Sequence, residues 1–320
     1  MLLRPSRRQV LTGAAAAGLT VVLATAERST ASADPDPGPE AGPAQQPSTE
    51  KDTTVDLDHR LSALEQRHSA RLGVFAQDTG TGRTVRYRAE ELFPFCSTFK
   101  TIAVAAVLRD LDRDGTYLAK VIRYSEQEVK AAGYAPITGQ PANLANGMAV
   151  ADLCAAAIRY SDNCAANLLL RELGGPTAVT RFCRSVGDRT TRLDRWEPAL
   201  NSAEPGRVTD TSSPAALGRT YARLTLGDAL DAPDRARLTD WLKGNTTSTH
   251  RFRAGLPESW TLADKTGTGD YGTTNDAGLT WPPGRAPIVL TVLATKQDQA
   301  APADEPLIAA TAALLAEALA

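Results

Sequence analysis

A serine and a lysine three positions apart, Ser97 and Lys100, precede Ser161-Asp162-Asn163, Glu197 with Asn201, and Lys265-Thr266-Gly267-Thr268-Gly269. At i,i+3 spacing the first two side chains share one helix face, about one turn apart. If that turn points into a cleft, Ser97 can attack a carbonyl and form an acyl-enzyme, with Lys100 lowering the cost of removing its proton. The backbone N–H of Ser97, at a helix start, is also placed to stabilise an oxyanion. Alone, such a pair is more often a capping serine and a surface lysine. Four ordered elements that all suit acyl transfer are much harder to produce by accident.

Each further group has a task in such a reaction. Ser161 can relay a proton to a leaving nitrogen, and Asn163 can bond a substrate amide carbonyl and the Lys100 side chain. Asp162 is expected to bond backbone groups and hold its turn, and either Asp162 or Ser161 can cap the helix that follows. Glu197 and Asn201 stand four apart, so one helical turn brings carboxylate and amide to one side, where they can grip a water. Glu197 can then take that water's proton. Lys265 and Thr266 can bind a substrate carboxylate, the glycines permit close approach of the substrate backbone, and the N–H of Thr268 is the expected second oxyanion donor. Lysine precedes glycine here, so the run is not a phosphate loop. Arg195 and Asp210 can tie the base of the Glu197 loop, although an exposed ion pair contributes little.

The elements that must carry these groups are legible from periodicity. Leu57, Leu61 and Leu64 recur at helical spacing. Alternation at Leu72, Val74 and Ala76, the turn Thr79-Gly80-Thr81-Gly82 and the stretch 84–88 read as a hairpin. The apolar run 102–108 predicts a buried helix whose first turns carry Ser97 and Lys100. Two helical patterns meet at Ser161-Asp162-Asn163 within 150–173, and periodicity vanishes between Gly187 and Thr211, which predicts a long ordered loop. Helices are expected from Ser213-Pro214 to Leu226 and over 231–242. Strands follow at 260–265, 275–281 and 288–294, and Leu307, Ile308, Leu314 and Leu315 mark a terminal helix.

The expected fold is therefore α+β. An antiparallel sheet lobe with flanking helices is built from both chain ends (55–93 and 243–320), with an all-helical lobe (94–242) inserted between them. The cleft between the lobes would hold the chemistry.

Ahead of this, Ser6-Arg7-Arg8-Gln9-Val10-Leu11 sets paired arginines before an alanine-rich run to Ala26, which reads as an export signal of twin-arginine type. The run is shorter than the roughly 20 residues of a membrane span and is broken by Gly13 and Gly18. Ala31-Ser32-Ala33 suits cleavage, giving a signal over 1–33. A proline-rich, acidic leader over 34–54 is expected to be flexible, with folded structure from about Val55. No stable membrane insertion is expected once the signal is removed.

The formal net charge of -2 gives no reason to invoke nucleic acid or an anionic membrane. Three histidines leave a metal hydrolase little material, so neither metal nor cofactor is expected. Four cysteines in an oxidising destination permit three complete pairings, among which the sequence does not choose. A monomer is expected.

The order Ser97-x-x-Lys100, Ser161-Asp162-Asn163, Glu197-x-x-Leu200-Asn201, Lys265-Thr266-Gly267 resembles that of the class A serine beta-lactamases, from about Leu57 to the C-terminus. The resemblance implies that Ser97 is acylated, Lys100 activates it, Glu197 is the deacylating base and Asn201 holds its water. It also implies an omega loop at 192–210, and that Tyr134 lines the cleft opposite the sheet strand. Many members carry an arginine after the Lys-Thr-Gly strand, where this chain has Thr273-Thr274-Asn275. Arg251 resembles the alternative guanidinium of actinobacterial members, so Arg251 is expected to bind the substrate carboxylate. Cys96 is expected to pack behind the nucleophile. In some relatives the position of Cys154 is bridged to one that here is Val104, so that bridge is not expected.

The implied activity is opening of a beta-lactam amide, and so antibiotic resistance. Two alternatives stand beside it: a penicillin-binding D,D-peptidase trapped as its acyl-enzyme, and a non-catalytic binding protein on the same fold. Glu197 with Asn201 discriminates, because together they supply a deacylation apparatus.

Overall fold

The computed structural model describes residues 50–320 of the chain. The expected export signal and the leader up to residue 49 lie outside the described residues. Positions 50–54 are not leader but the start of a helix. No proline or glycine interrupts the chain between Ser48 and Leu72.

The chain begins with α1 (Glu50–Arg67), β1 (Arg71–Asp78), β2 (Thr84–Tyr87), β3 (Phe93–Pro94) and α2 (Phe99–Ala106). It continues through β4 (Val121–Ile122), α3 (Glu126–Ala132), α4 (Pro141–Asn146), β5 (Met148–Ala149), α5 (Val150–Arg159), α6 (Asn163–Glu172) and α7 (Thr177–Ser185). After a long loop come β6 (Thr211–Ser212), α8 (Pro214–Thr225), α9 (Ala232–Lys243) and α10 (Phe252–Gly255). Last are β7 (Thr261–Gly269), β8 (Thr273–Trp281), β9 (Ile288–Thr295) and α11 (Glu305–Leu319).

The main sheet is antiparallel in the order β2-β1-β9-β8-β7. Its centre joins the two ends of the described chain, with Arg71 opposite Thr295 and Asp78 opposite Ile288. Side chains alternate between faces as the pleat requires. Leu72, Val74 and Ala76 of β1 and Leu290, Val292 and Ala294 of β9 pack with Leu61, Leu307 and Leu315 of α1 and α11. Phe75, Val289 and Leu293 point the other way, into the core shared with Leu217 and Tyr221 of α8. Both faces are covered, so β9 reads as a continuous apolar run.

The inserted part is mostly helical but not wholly so: β3 pairs with β6 and β4 with β5 as two-stranded ladders. Residues so short in pairing leave no periodic trace in the sequence. Of the two candidate caps at the start of α6, Asp162 is the one used, accepting from Ala165 N–H (2.8 Å), and Ser213 caps α8 by accepting from Ala216 N–H (3.2 Å). Strand β7 runs four residues beyond the expected end at Lys265, because pairing with β8 continues to Gly269 opposite Thr273.

Candidate active site

The nucleophile's turn is held from three sides. Ser97 lies in a 3-10 turn, Cys96–Thr98, that leads directly into α2. Cys96 has a φ of 46°, a left-handed conformation that costs a residue with a Cβ and marks many functional turns. The Tyr221 hydroxyl donates to Thr98 O (2.7 Å), and Thr98 Oγ1 donates to Phe95 O (2.6 Å). The third support is β7. A Cβ on Gly267 would lie 2.8 Å from Phe95 O, and one on Gly269 would lie 2.6 Å from Asn201 O. These glycines thus admit the protein's own backbone, where the sequence led us to expect them to admit the substrate's.

Lys100 is buried at the base of the cleft. Its Nζ donates to Ser161 O (2.7 Å), Ser161 Oγ (3.3 Å) and Asn163 Oδ1 (2.7 Å), and pairs with Glu197 Oε1 at 3.1 Å. Burial holds the ammonium below the ordinary lysine range, against the opposing pull of Glu197. The Ser97 hydroxyl donates to the same Glu197 Oε1 at 3.3 Å. Serine and lysine therefore converge on one carboxylate oxygen, whereas the motif alone describes a serine activated by its lysine.

Ser161, at φ 57°, sits in the turn between α5 and α6. Asp162 beside it also accepts from Ile137 N–H (2.9 Å), Thr138 N–H (2.9 Å) and Thr138 Oγ1 (2.8 Å), which fixes the segment after Tyr134. Asn163 N–H donates to Tyr134 O (2.8 Å) and its Nδ2 to Ala132 O (3.2 Å), leaving one amide hydrogen for a substrate carbonyl. Tyr134 itself is 58% exposed at the cleft mouth.

On the loop, Asn201 Nδ2 donates to Glu197 Oε2 at 2.6 Å, the pairing that four-residue spacing predicts. The turn is 3-10, Ala199–Ser202. Asn201 Oδ1 is buried without a protein partner among the described residues. Arg195 and Asp210 do pair (Nε to Oδ2, 2.5 Å), but not as an exposed pair: Asp210 is 1% exposed and its Oδ1 accepts from the N–H groups of Asp194 and Arg195. Arg195 Nη1 also reaches Ser202 Oγ (2.7 Å), tying the loop's base to the turn that carries Asn201.

Lys265 is fully buried, donating to Ser161 Oγ (3.0 Å) and Thr266 O (2.8 Å). Burial, then repulsion from Lys100 and Arg251, pushes it well below the ordinary lysine range. It stands behind the cleft wall, whose lining there is Thr247, Arg251, Thr266 and Thr268. Arg251 is not a surface arginine: Nη1 donates to Gly267 O (2.8 Å) and Asn275 O (2.9 Å), Nη2 to Thr268 Oγ1 (2.7 Å), and Nε to Glu305 Oε1 (3.2 Å). Of its five N–H groups, one on Nη2 is left for a ligand.

The cleft encloses about 420 Å³ and is lined by Ser97, Tyr134, Ser161, Asn163, Asn201, Thr247, Arg251, Thr266, Gly267, Thr268 and Glu305. Lys100 and Glu197 lie just behind that lining. Three contributors escaped the sequence reading. Thr247 Oγ1 meets Thr266 Oγ1 at 2.5 Å, and Glu305 braces Arg251. Asn167 grips the Glu197 backbone at both ends, accepting its N–H (3.0 Å) and donating to its carbonyl (2.9 Å). Asn167 falls one helical turn after Asn163 on α6, but nothing in that spacing points to a loop 30 residues further on.

Cys96, Cys154, Cys164 and Cys183 are all free and buried. Burial raises each thiol, Cys164 to about 11. Among the described residues no cluster of three or more His, Cys, Asp or Glu could hold a metal ion, and no helix is long and apolar enough to cross a membrane.

The sequence profile of the "Beta-lactamase enzyme family" matches residues 56–319. A beta-lactamase of Streptomyces lavendulae is 65% identical over 316 residues, 99% of this chain and 98% of the relative. The carbapenem-hydrolyzing beta-lactamase KPC of Klebsiella oxytoca is 52% identical, over 81% of this chain and 87% of that one. Among solved structures, the beta-lactamase from Streptomyces albus G superposes with a TM-score of 0.82 at 66% identity, covering 83% of this chain and 100% of that chain. The chain belongs to the beta-lactamase enzyme family, with the fold and motif order of its class A serine members.

Proposed function

We propose that this enzyme opens the amide of beta-lactam antibiotics by acylating Ser97, and releases the product with a water activated by Glu197. The observation that carries the reading is the Glu197 carboxylate, held by Asn201 on one oxygen and shared by Ser97 and Lys100 on the other.

Ser97 Oγ bonds to the ring carbonyl carbon as its proton passes to Glu197 Oε1. The backbone N–H groups of Ser97 and Thr268 receive the oxyanion. As the C–N bond breaks, Ser161 Oγ protonates the nitrogen and is resupplied from Lys100 (3.3 Å), which recovers its proton from Glu197 Oε1 (3.1 Å) and so restores the carboxylate for the second half. In the second half, a water bound by Glu197 and by Asn201 Oδ1 attacks the ester carbon. Glu197 takes its proton, and Ser97 recovers a proton as it leaves. Arg251 and Thr266 receive the substrate carboxylate, with Lys265 supporting them from behind, Asn163 the side-chain carbonyl and Tyr134 the exposed face.

A trapped peptidase shares Ser97, Lys100 and Ser161, but has no use for a buried carboxylate tethered to Asn201. Export through the twin-arginine signal and a monomeric state complete the proposal. Mass spectrometry during benzylpenicillin or nitrocefin turnover is the test. Rapid release from a transient Ser97 adduct supports hydrolysis, and a stable stoichiometric adduct on the wild-type enzyme refutes it.

A further inference from the structure

Two acids lie buried beneath the carboxylate-binding side of the cleft, and the catalytic scheme uses neither. Asp264 on β7 and Asp276 on β8 are 1% and 0% exposed. Thr266 stands opposite Asp276 and Asp264 opposite Gly278, so the two acids are diagonal neighbours on one sheet face. Their outer oxygens have partners: Asp264 Oδ1 accepts from Asn245 Nδ2 (3.1 Å), and Asp276 Oδ2 from Phe252 N–H (3.2 Å). Their remaining oxygens, Asp264 Oδ2 and Asp276 Oδ1, are buried without a hydrogen-bond partner among the described residues, and each acid is a charged neighbour of the other. Two buried carboxylates so placed cannot both ionise without water, and one shared proton would give both oxygens a partner.

The outer partners matter more than the pair itself. Asn245 Oδ1 holds Thr247 N–H (3.1 Å) and Thr247 Oγ1 (2.8 Å), and Thr247 meets Thr266. Phe252 directly follows Arg251. We propose that Asp264 and Asp276 share one proton and act as a positioning pair, pinning the segment 245–252 to the sheet so that Thr247 and Arg251 meet the substrate carboxylate. This rests on the reading above that Arg251 and Thr266 receive that carboxylate.

Around the pair stand Lys265 on β7, Arg251 and Ser248 from the pinned segment, Arg253 just after it, and Tyr221 from α8. Glu305 of α11 faces it only through Arg251. Burial and the neighbouring Asp264 raise Asp276 well above the ordinary carboxylate range. An acid raised on folding costs stability progressively as pH climbs from its unfolded value to its folded one.

The test compares Asp276→Asn with Asp276→Ala. The asparagine keeps the shape, donates to Asp264 and preserves the local charge, since one negative charge remains as in the singly protonated pair. It is expected to keep a near-wild-type KM for benzylpenicillin at neutral pH. The alanine is expected to raise KM roughly tenfold with kcat little changed, as loss of a positioning contact does. Melting temperatures should separate the variants too, the gap between Asp276→Asn and wild type widening in favour of the variant as pH rises from 4 to 8 or so.

Arg251→Ala serves as the control for the carboxylate reading. An unchanged KM there overturns that reading. A raised KM with Arg251→Ala, joined by Asp276→Ala kinetics equal to wild type, overturns the positioning pair alone. So does a pH-independent melting gap.

Discussion

Glu197→Gln keeps the side chain's size and one acceptor oxygen but removes its ability to take a proton near neutral pH. In the wild type that carboxylate accepts from Ser97 (3.3 Å), Lys100 (3.1 Å) and Asn201 (2.6 Å). Two consequences can be worked separately. The attacking water loses its general base, an effect of about 10²–10⁴ in rate, or about 2.7–5.4 kcal/mol of barrier. Lys100 loses the stronger of the two carboxylates that hold its proton on, Asp162 being the other, so burial lowers it further and favours the neutral amine. A neutral Lys100, still held by Ser161 and Asn163, can take the Ser97 proton. Acylation therefore survives while deacylation fails.

Removing one partner of a buried ion pair otherwise costs about 3–5 kcal/mol, and loss of the lysine proton spares the variant most of that. Rapid mixing with benzylpenicillin, acid quench and intact-mass measurement should show one equivalent of whole-substrate adduct forming quickly and leaving slowly, mapped to Ser97. Unchanged multiple turnover without adduct refutes the role of Glu197. A folded variant that forms no adduct refutes the takeover by Lys100.

The remaining expectations address the supports. Asn167→Ala removes both bonds to the Glu197 backbone, at about 1–3 kcal/mol; thermal melting should register the loss, and single-turnover kinetics should show deacylation slowed more than acylation. Lys265 has its proton affinity lowered on folding, so between that lowered value and the ordinary one near 10.4 the unfolded chain binds more protons and stability rises with pH. Lys265→Met should remove that rise, read as a melting-temperature difference that narrows toward alkaline pH; a constant difference counts against the lowered value. The four thiols, free and buried, should be silent to a thiol reagent in the native protein and all react in denaturant, with an intact mass unchanged by reduction. Fast native labelling, or a gain of two mass units on reduction, contradicts the burial or the free state.

What the sequence made legible and what it hid follow from range. Asp162 capping α6 and Glu197 with Asn201 are contacts within a turn, which spacing encodes directly, whereas Ser97 and Lys100 meet only through Glu197. The alternation of Leu72, Val74 and Ala76 fixed a sheet face for the same reason. Hidden were the groups that act across the chain: Asn167 on Glu197 over 30 residues, Glu305 on Arg251 over 54, and Lys265 on Ser161 over 104. A spacing rule has nothing to measure there, and only the folded sheet edge brings such groups together.

Burial was hidden too, and it changes roles. Lys265 reads in the sequence as an open ligand for a substrate carboxylate, whereas two of its three N–H groups are taken by Ser161 and Thr266. Under the proposed function Arg251 and Thr266 line the cleft beside it, and the lysine supports them from behind. With Lys100, Lys265 and Arg251 crowded behind one wall, the low proton affinity of Lys265 follows. So does the utility of a negative charge beneath them: one charge on the Asp264–Asp276 pair offsets that crowding, whereas two would have to be buried without water. The glycines at 267 and 269 complete the logic, since a side chain at either would push β7 off the turn that carries Ser97 and separate the N–H groups of Ser97 and Thr268, the proposed oxyanion donors.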